Sequence, residues 1–348
     1  MKINNSYCPA PWKSVLISPN GKIYTCYEAS DCLGEINEIP LADILNSYKS
    51  KLIKEKMSKD EIVPQCEFCI LKENTQKGES LQSVFLQEFK SINTNITSSP
   101  IEEIESVDLS FSNLCNMKCL TCSSEYSSRW SSENTIVTYT NYIKKNIFPL
   151  LNQLKKITIA GGEPFIQSEI IEFLEELIRL KRTDIRLEFN SNGSSIKTSY
   201  IKNLKKFNNL QISISIDGIN GDAQNIRPGI AWEKIERNIK VLKNELPNAD
   251  ITSYTTISSL NIQNFPEMVH YFIDNDLFEL RDVALHYLRT PEKYSIQNLN
   301  EKTKMTIEEN YNLLIKQLMK KKLPLSQVIG LSRRIRLINK YMTSKKSN

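Results

Sequence analysis

Three cysteines, Cys115, Cys119 and Cys122, fall within eight residues in the spacing C-x3-C-x2-C, directly after the strand-like run Val107 to Phe111. Such a loop brings three thiolates together at the C-terminal end of a strand. A four-iron cluster needs one ligand per iron and takes thiolate by preference, so three cysteines leave one iron open to an outside ligand. Structural zinc would want a fourth closing ligand, and both histidines, His270 and His286, lie far along the chain. Eight cysteines in all point to metal binding or chemistry rather than disulfides, because a reducing cytosol disfavours the latter.

From about residue 105 onward, short β-branched runs alternate with helical periods, the pattern of strand–helix units and a parallel sheet. The spacing predicts strands at 106–111, 156–160, 185–190, 210–216, 251–257 and 282–288. Ile170, Ile171, Leu174, Leu177 and Ile178 keep a helical period behind Ser168, an N-cap candidate, and Ile235, Ile239 and Leu242 do so on 231–245. Right-handed crossovers between six parallel strands build either an open doubly wound sheet or an incomplete barrel, and period alone does not separate them.

The first hundred residues differ in character. Cys8 and Cys26 are followed, after a gap, by the C-x2-C pair Cys66 and Cys69, which completes a set of four thiolates. A turn at Pro19-Asn20-Gly21 predicts a hairpin, and a helical stretch is expected near 41–57. The polar stretch 92–100 reads as the joint to the remainder. Four cysteines with one C-x2-C pair satisfy tetrahedral zinc as well as a closed iron–sulfur cluster. Cys32 is the eighth cysteine, expected as a buried small residue or as a bystander near this cluster, with hydrogen-atom donation to a product radical as the sharper alternative.

A chain of 348 residues accommodates one large core and a satellite. The opening segment Met1 to Trp12 lacks a basic region followed by an apolar run, and no stretch approaches the roughly 20 apolar residues that span a bilayer. A soluble, cytoplasmic protein with no membrane partner is expected. The net charge of +5 comes from interspersed Lys, Arg, Glu and Asp, which calls for no nucleic acid. Arg333, Arg334, Arg336, Lys340, Lys345 and Lys346 read as a solvated helix face.

The C-x3-C-x2-C loop after a first strand resembles the signature of the radical S-adenosylmethionine superfamily. Further motifs carry the resemblance over roughly residues 104–290. Gly161-Gly162-Glu163-Pro164 follows the second strand and is similar to the family's Gly-Gly-Glu-Pro motif, which holds the ammonium of the cofactor's methionine part. Asn192 ends the third strand, and Ser213, Ser215 and Asp217 lie along the end of the fourth, at positions resembling those that bind ribose and carboxylate. Arg227 matches a family arginine that pairs with the cofactor carboxylate, a task suited to a planar fork of donors. Thr121 stands before the third cysteine, where the family often has an aromatic residue. The resemblance implies an α/β fold with a partial (β/α)6 TIM-like barrel, a [4Fe-4S] cluster with an open iron on Cys115, Cys119 and Cys122, and S-adenosyl-L-methionine as cofactor.

The N-terminal set, with four residues between Gly21 and Cys26 and Leu33-Gly34-Glu35-Ile36 in the gap, resembles the twitch or SPASM auxiliary modules of this superfamily. Those usually follow the barrel; here the module precedes it. The resemblance implies a second [4Fe-4S] cluster on Cys8, Cys26, Cys66 and Cys69. It also implies three parts: an auxiliary module at 1–92, a core at 104–290 and a C-terminal helical extension at 291–348. The activity implied is reductive cleavage of S-adenosylmethionine to a 5′-deoxyadenosyl radical that abstracts hydrogen from a peptide, a protein or a small metabolite such as a sugar or nucleotide, with flavodoxin or ferredoxin as reducing partner. A non-catalytic iron–sulfur or zinc protein with a redox-sensing or structural role is the alternative.

Overall fold

The computed structural model describes residues 7–36, 39–75, 78, 80–89, 99–131, 133 and 135–344. Most of the polar joint at 92–100, and Lys345 and Lys346, lie outside them. A short helix α1 (Ala10–Lys13) leads into β1 (Ser14–Ile17), which turns back through Pro19-Asn20-Gly21 into β2 (Lys22–Tyr24), and β3 (Gly34–Glu35) pairs with β2. Gly21 has φ +78°, a left-handed conformation that glycine adopts without strain, and this lets the expected hairpin close. Four helices follow: α2 (Leu41–Leu45), α3 (Tyr48–Ser58), α4 (Glu67–Thr75) and α5 (Leu81–Glu88). The single helical stretch anticipated near 41–57 is therefore two. Ser47 divides them, because its hydroxyl accepts from Ser50 N and starts α3 as an N-cap.

The remaining chain alternates β4 (Ser106–Ser110), α6 (Thr140–Asn146), β5 (Lys156–Ala160), α7 (Ser168–Arg179), β6 (Arg186–Ser191), α8 (Thr198–Leu204), β7 (Asn209–Ser215), α9 (Asn220–Ile226), α10 (Trp232–Glu245), β8 (Asp250–Ile257), α11 (Phe265–Asp274) and β9 (Val283–Tyr287). All six expected strands are present. Helix α7 takes Gln167 rather than Ser168 as its N-cap residue, because Gln167 is still extended and sends its side-chain amide to the Gly161 carbonyl. Two long helices, α12 (Glu301–Lys320) and α13 (Leu325–Thr343), end the described chain.

The strand order is β3-β2-β1-β4-β5-β6-β7-β8-β9. From β4 to β9 every neighbour is parallel and sequential, so each crossover steps the same way. A doubly wound sheet would reverse direction, whereas this order keeps the helices on one side and curls the sheet like a barrel wall. Among the described residues β9 pairs only with β8, so the wall is open. Helices α7, α10 and α11 bury Phe173, Leu177, Ile239, Leu242, Val269 and Phe272 towards the sheet. Strand β8 alternates, with Ile251, Ser253, Thr255 and Ile257 buried between half-buried Thr252, Tyr254 and Thr256.

The N-terminal hairpin belongs to the same sheet. β1 pairs in parallel with β4, Ser14 opposite Ser106 and Ile17 opposite Leu109, and Lys13 and Glu105 form an ion pair at 2.7 Å where the two strands begin. Helix α13 packs beside β9, and Tyr341 stacks on Tyr287 with ring centroids 3.7 Å apart. Arg333, Arg336 and Lys340 are exposed on α13, the solvated face expected of them, while Arg334 reaches back to the Leu280 carbonyl at 2.6 Å.

Candidate active site and cluster sites

The loop after β4 is held from both sides. Asn113 Oδ1 accepts from Val137 N at 2.9 Å, Ser127 Oγ donates to the Met117 carbonyl at 2.8 Å, and Trp130 Nε1 donates to the Cys119 carbonyl at 2.9 Å. On the other side Lys118 N and Leu120 N donate to the carbonyls of Pro228 and Ile226 at 3.1 and 2.9 Å. Backbone bonds of this kind fix where Cys115, Cys119 and Cys122 stand before any ligand arrives. Asn192 Nδ2 lies 3.9 Å from Cys115 Sγ and Arg227 Nη1 3.8 Å from Cys119 Sγ. Burial pushes all three thiols up, Cys122 to about 12, so each holds its proton until a metal displaces it.

Gly161 and Gly162 carry φ values of +83° and +59°. A Cβ on Gly162 would collide with the Leu114 carbonyl, and Glu163 N donates to that same carbonyl at 2.8 Å. The two glycines thus let the loop after β5 press against the cysteine loop. The Glu163 carboxylate faces inward, fully buried, and accepts from Asn192 N at 2.6 Å, Ser191 Oγ at 2.7 Å and Phe165 N at 3.0 Å. Burial raises its pKa to about 7 against the lowering effect of those three bonds.

Asp217, at the end of β7, is buried and pairs with Arg227 Nε at 2.8 Å while accepting from Thr256 N at 2.8 Å. Burial works against the Arg227 charge, and Asp217, with Cys119 behind it, more than restores it. Ser213 is turned to Thr252, its hydroxyl 3.0 Å away.

A cavity of about 480 Å³ joins these parts, within the range of about 300–1,000 Å³ usual for small-molecule sites. Cys115, Cys119, Cys122, Gly161, Gly162, Asn192, Ser215 and Arg227 line it. Glu163, Ser213 and Asp217 do not; they stand behind the wall. Asn190, Thr256 and Tyr126 also line the cavity and were not singled out in the sequence. Asn190 and Thr256 each stand one residue before the end of a strand, so alternation along β6 and β8 was the signal that could have found them.

The second thiol set comes together as well. Cys8, Cys26, Cys66 and Cys69 line one closed cavity between α1, β2, α4 and α5. Ala10 N serves Cys8, the amides of Glu28 and Ala29 serve Cys26, and those of Leu81 and Gln82 serve Cys69. Burial pushes Cys26 and Cys66 up to about 12. Cys32 stays half-buried, with Tyr24 as its electrostatic neighbour, and lines neither cavity.

Cys8, Cys26, Cys66 and Cys69 line one cavity and Cys115, Cys119 and Cys122 another, and an all-sulfur donor set suits iron. The residues present therefore fit a closed cluster at the N-terminal set and a three-thiolate cluster in the larger cavity.

Comparison with known proteins agrees with this donor chemistry. Residues 109–272 match the model of the radical SAM superfamily, and residues 8–70 match that of SPASM, an iron–sulfur cluster-binding domain. A GTP 3′,8-cyclase of Campylobacter lari is 26% identical over 147 residues, which is 42% of this chain and 42% of the cyclase. A 7-carboxy-7-deazaguanine synthase of Clostridium acetobutylicum is 35% identical over 82 residues, 23% of this chain and 34% of the synthase. The chain thus spans well under half the length of either relative. Among solved structures, native anSMEcpe with bound AdoMet aligns at a TM-score of 0.48 with 19% identity, over 62% of this chain and 61% of that one. Streptococcus suis SuiB bound to S-adenosylmethionine aligns at 0.42 with 15% identity, over 72% and 62%. None of the helices among the described residues is long and apolar enough to cross a membrane. Residues 109–272 thus carry a radical SAM domain, with which a [4Fe-4S] cluster and S-adenosylmethionine go as cofactors, and residues 8–70 a SPASM-type iron–sulfur domain ahead of it.

Proposed function

We propose that this radical SAM enzyme reductively cleaves S-adenosylmethionine and abstracts a hydrogen atom from a peptide, a protein or a small metabolite such as a sugar or nucleotide. The observation that carries the reading is that three thiols of one loop share a cavity with Asn192 and Ser215, at C-terminal strand ends where barrel enzymes assemble their sites, and with Arg227 at the end of α9. With cluster and cofactor bound, the chemistry supplied there is one-electron cleavage of the sulfonium, leaving methionine and a 5′-deoxyadenosyl radical.

In this reading Cys115, Cys119 and Cys122 hold the cluster, and the backbone of Gly161 and Gly162 shapes the pocket for the cofactor's amino and carboxylate groups. Arg227 gives its Nε to Asp217, so its terminal nitrogens serve the carboxylate. Asn192 and Ser215 offer hydrogen bonds to ribose. Glu163, Ser213 and Asp217 act from behind, by fixing Asn192, β7 and Arg227. The second cluster, fully thiolate-ligated, serves electron transfer or shapes the substrate pocket, and flavodoxin or ferredoxin in the cytoplasm supplies the electron. The divisions 1–92, 104–290 and 291–348 are functional units here, although β1–β3 continue the core sheet. The names of the curated relatives, a GTP cyclase and a deazaguanine synthase, favour the small-metabolite side.

Anaerobic reconstitution with iron and sulfide, followed by dithionite and S-adenosylmethionine, tests this. 5′-Deoxyadenosine should form with the wild type and not with Cys119→Ala. An iron-loaded wild type that yields none would be the redox sensor instead.

A further inference from the structure

The four-thiol cavity is unevenly supplied with donors. Cys8, Cys26 and Cys69 each receive backbone N–H groups, as described above. Cys66 receives none among the described residues; burial and the neighbouring Cys69 are all that act on it. The residue before it, Gln65, lines the same cavity, and its Nε2 is a buried amide nitrogen without a hydrogen-bond partner. Its backbone carbonyl is occupied, accepting from Ser30 N at 3.2 Å, which holds the residue in place against the hairpin loop.

A buried amide left unsatisfied costs about 1–3 kcal/mol, so such a group needs a partner that the protein chain does not supply. The carboxylate on the cavity wall, Glu28, is committed to Arg289 at 2.8 Å. What the cavity is built to contain is a thiolate-ligated cluster, whose sulfurs carry negative charge and accept hydrogen bonds. An N–H aimed at that charge is the favourable orientation of the amide, and its carbonyl aimed there would be repelled.

We propose that Gln65 Nε2 donates a hydrogen bond to the sulfur edge of the auxiliary cluster beside Cys66, and that this bond raises the cluster's reduction potential. The sign follows from charge. Reduction adds an electron to the cluster, the hydrogen bond stabilises the more negative state more strongly, and the midpoint moves up. Gln65 acts here as a positioning and tuning residue. The inference rests on the N-terminal thiols holding iron and sulfide.

The test uses the full reconstituted chain. In an EPR-monitored redox titration, Gln65→Leu should shift the auxiliary midpoint to more negative values and leave the midpoint of the Cys115-Cys119-Cys122 cluster where it was. Gln65→Glu, which keeps the length, should make the auxiliary midpoint pH-dependent, because only its protonated form can donate. Wild-type protein labelled with 15N at the glutamine side chain needs no substitution and should show a nitrogen hyperfine coupling to the reduced auxiliary cluster. An auxiliary midpoint unmoved in a fully loaded Gln65→Leu, or a labelled wild type without that coupling, overturns the inference while leaving the cofactor reading intact. A wild type that binds zinc at the N-terminal set overturns both.

Discussion

Arg227 and Asp217 form an ion pair of 2.8 Å in which the carboxylate side chain is completely buried, and the same guanidinium stands 3.8 Å from Cys119 Sγ. One residue thereby ties the end of β7 to the cysteine loop. Replacing it by a neutral side chain strands a carboxylate away from water. Arg227→Met should lower apoprotein stability by about 3–5 kcal/mol in urea denaturation, and Asp217→Asn added to it should recover a substantial part.

Gly162 bears a different constraint. Its left-handed φ costs an L-residue about 1–2 kcal/mol, and a methyl group there meets the Leu114 carbonyl. Gly162→Ala should lower the apoprotein melting temperature and displace the loop that carries Cys115. Iron bound at that cluster, measured after reconstitution, should fall with it.

His286 sets a pH dependence. Burial, reinforced by the charges of Arg289 and Lys72, lowers its pKa from 6.5 to about 4. The unfolded chain therefore binds a proton over this interval that the folded chain does not, so stability rises with pH between about 4 and 6.5 and is lost on acidification through that window. The contribution of this one group is at most about 3 kcal/mol. Denaturation of the apoprotein at pH 6.5 and pH 5 should show a smaller loss in His286→Gln than in the wild type.

Removing one ligand of the N-terminal set should separate the two clusters. Iron should fall from about eight to about four per chain in Cys26→Ala. Cleavage of S-adenosylmethionine should persist, since Cys26 lines a cavity apart from that of Cys115, Cys119 and Cys122. Metal analysis and 5′-deoxyadenosine measurement check the two halves.

Much of the core was legible because its signals are local. Runs such as Lys156–Ala160 and Asp250–Ile257 have the composition and period of strands, and their limits in the structure differ from the anticipated ones by at most one residue. The hairpin at Gly21 was readable from its turn residues. The direction of Glu163 was not. A carboxylate after two glycines looks like a ligand group in sequence, and its turn inward depends on Asn192 N and Ser191 Oγ, which arrive from another strand.

By itself the sequence determined the order of strands and helices, the three-thiol loop at the end of β4 and the four further cysteines available for a second cluster, because each depends on residues near in the chain. Only the tertiary structure decided that β1 adds in parallel to β4 across a separation of 92 residues, that Cys8 and Cys26 meet Cys66 and Cys69 around one cavity, and that Asp217 claims Arg227. Pairings of that range are chosen by burial and hydrogen bonding in the assembled fold, where many partners compete and no short pattern in the chain records which of them wins.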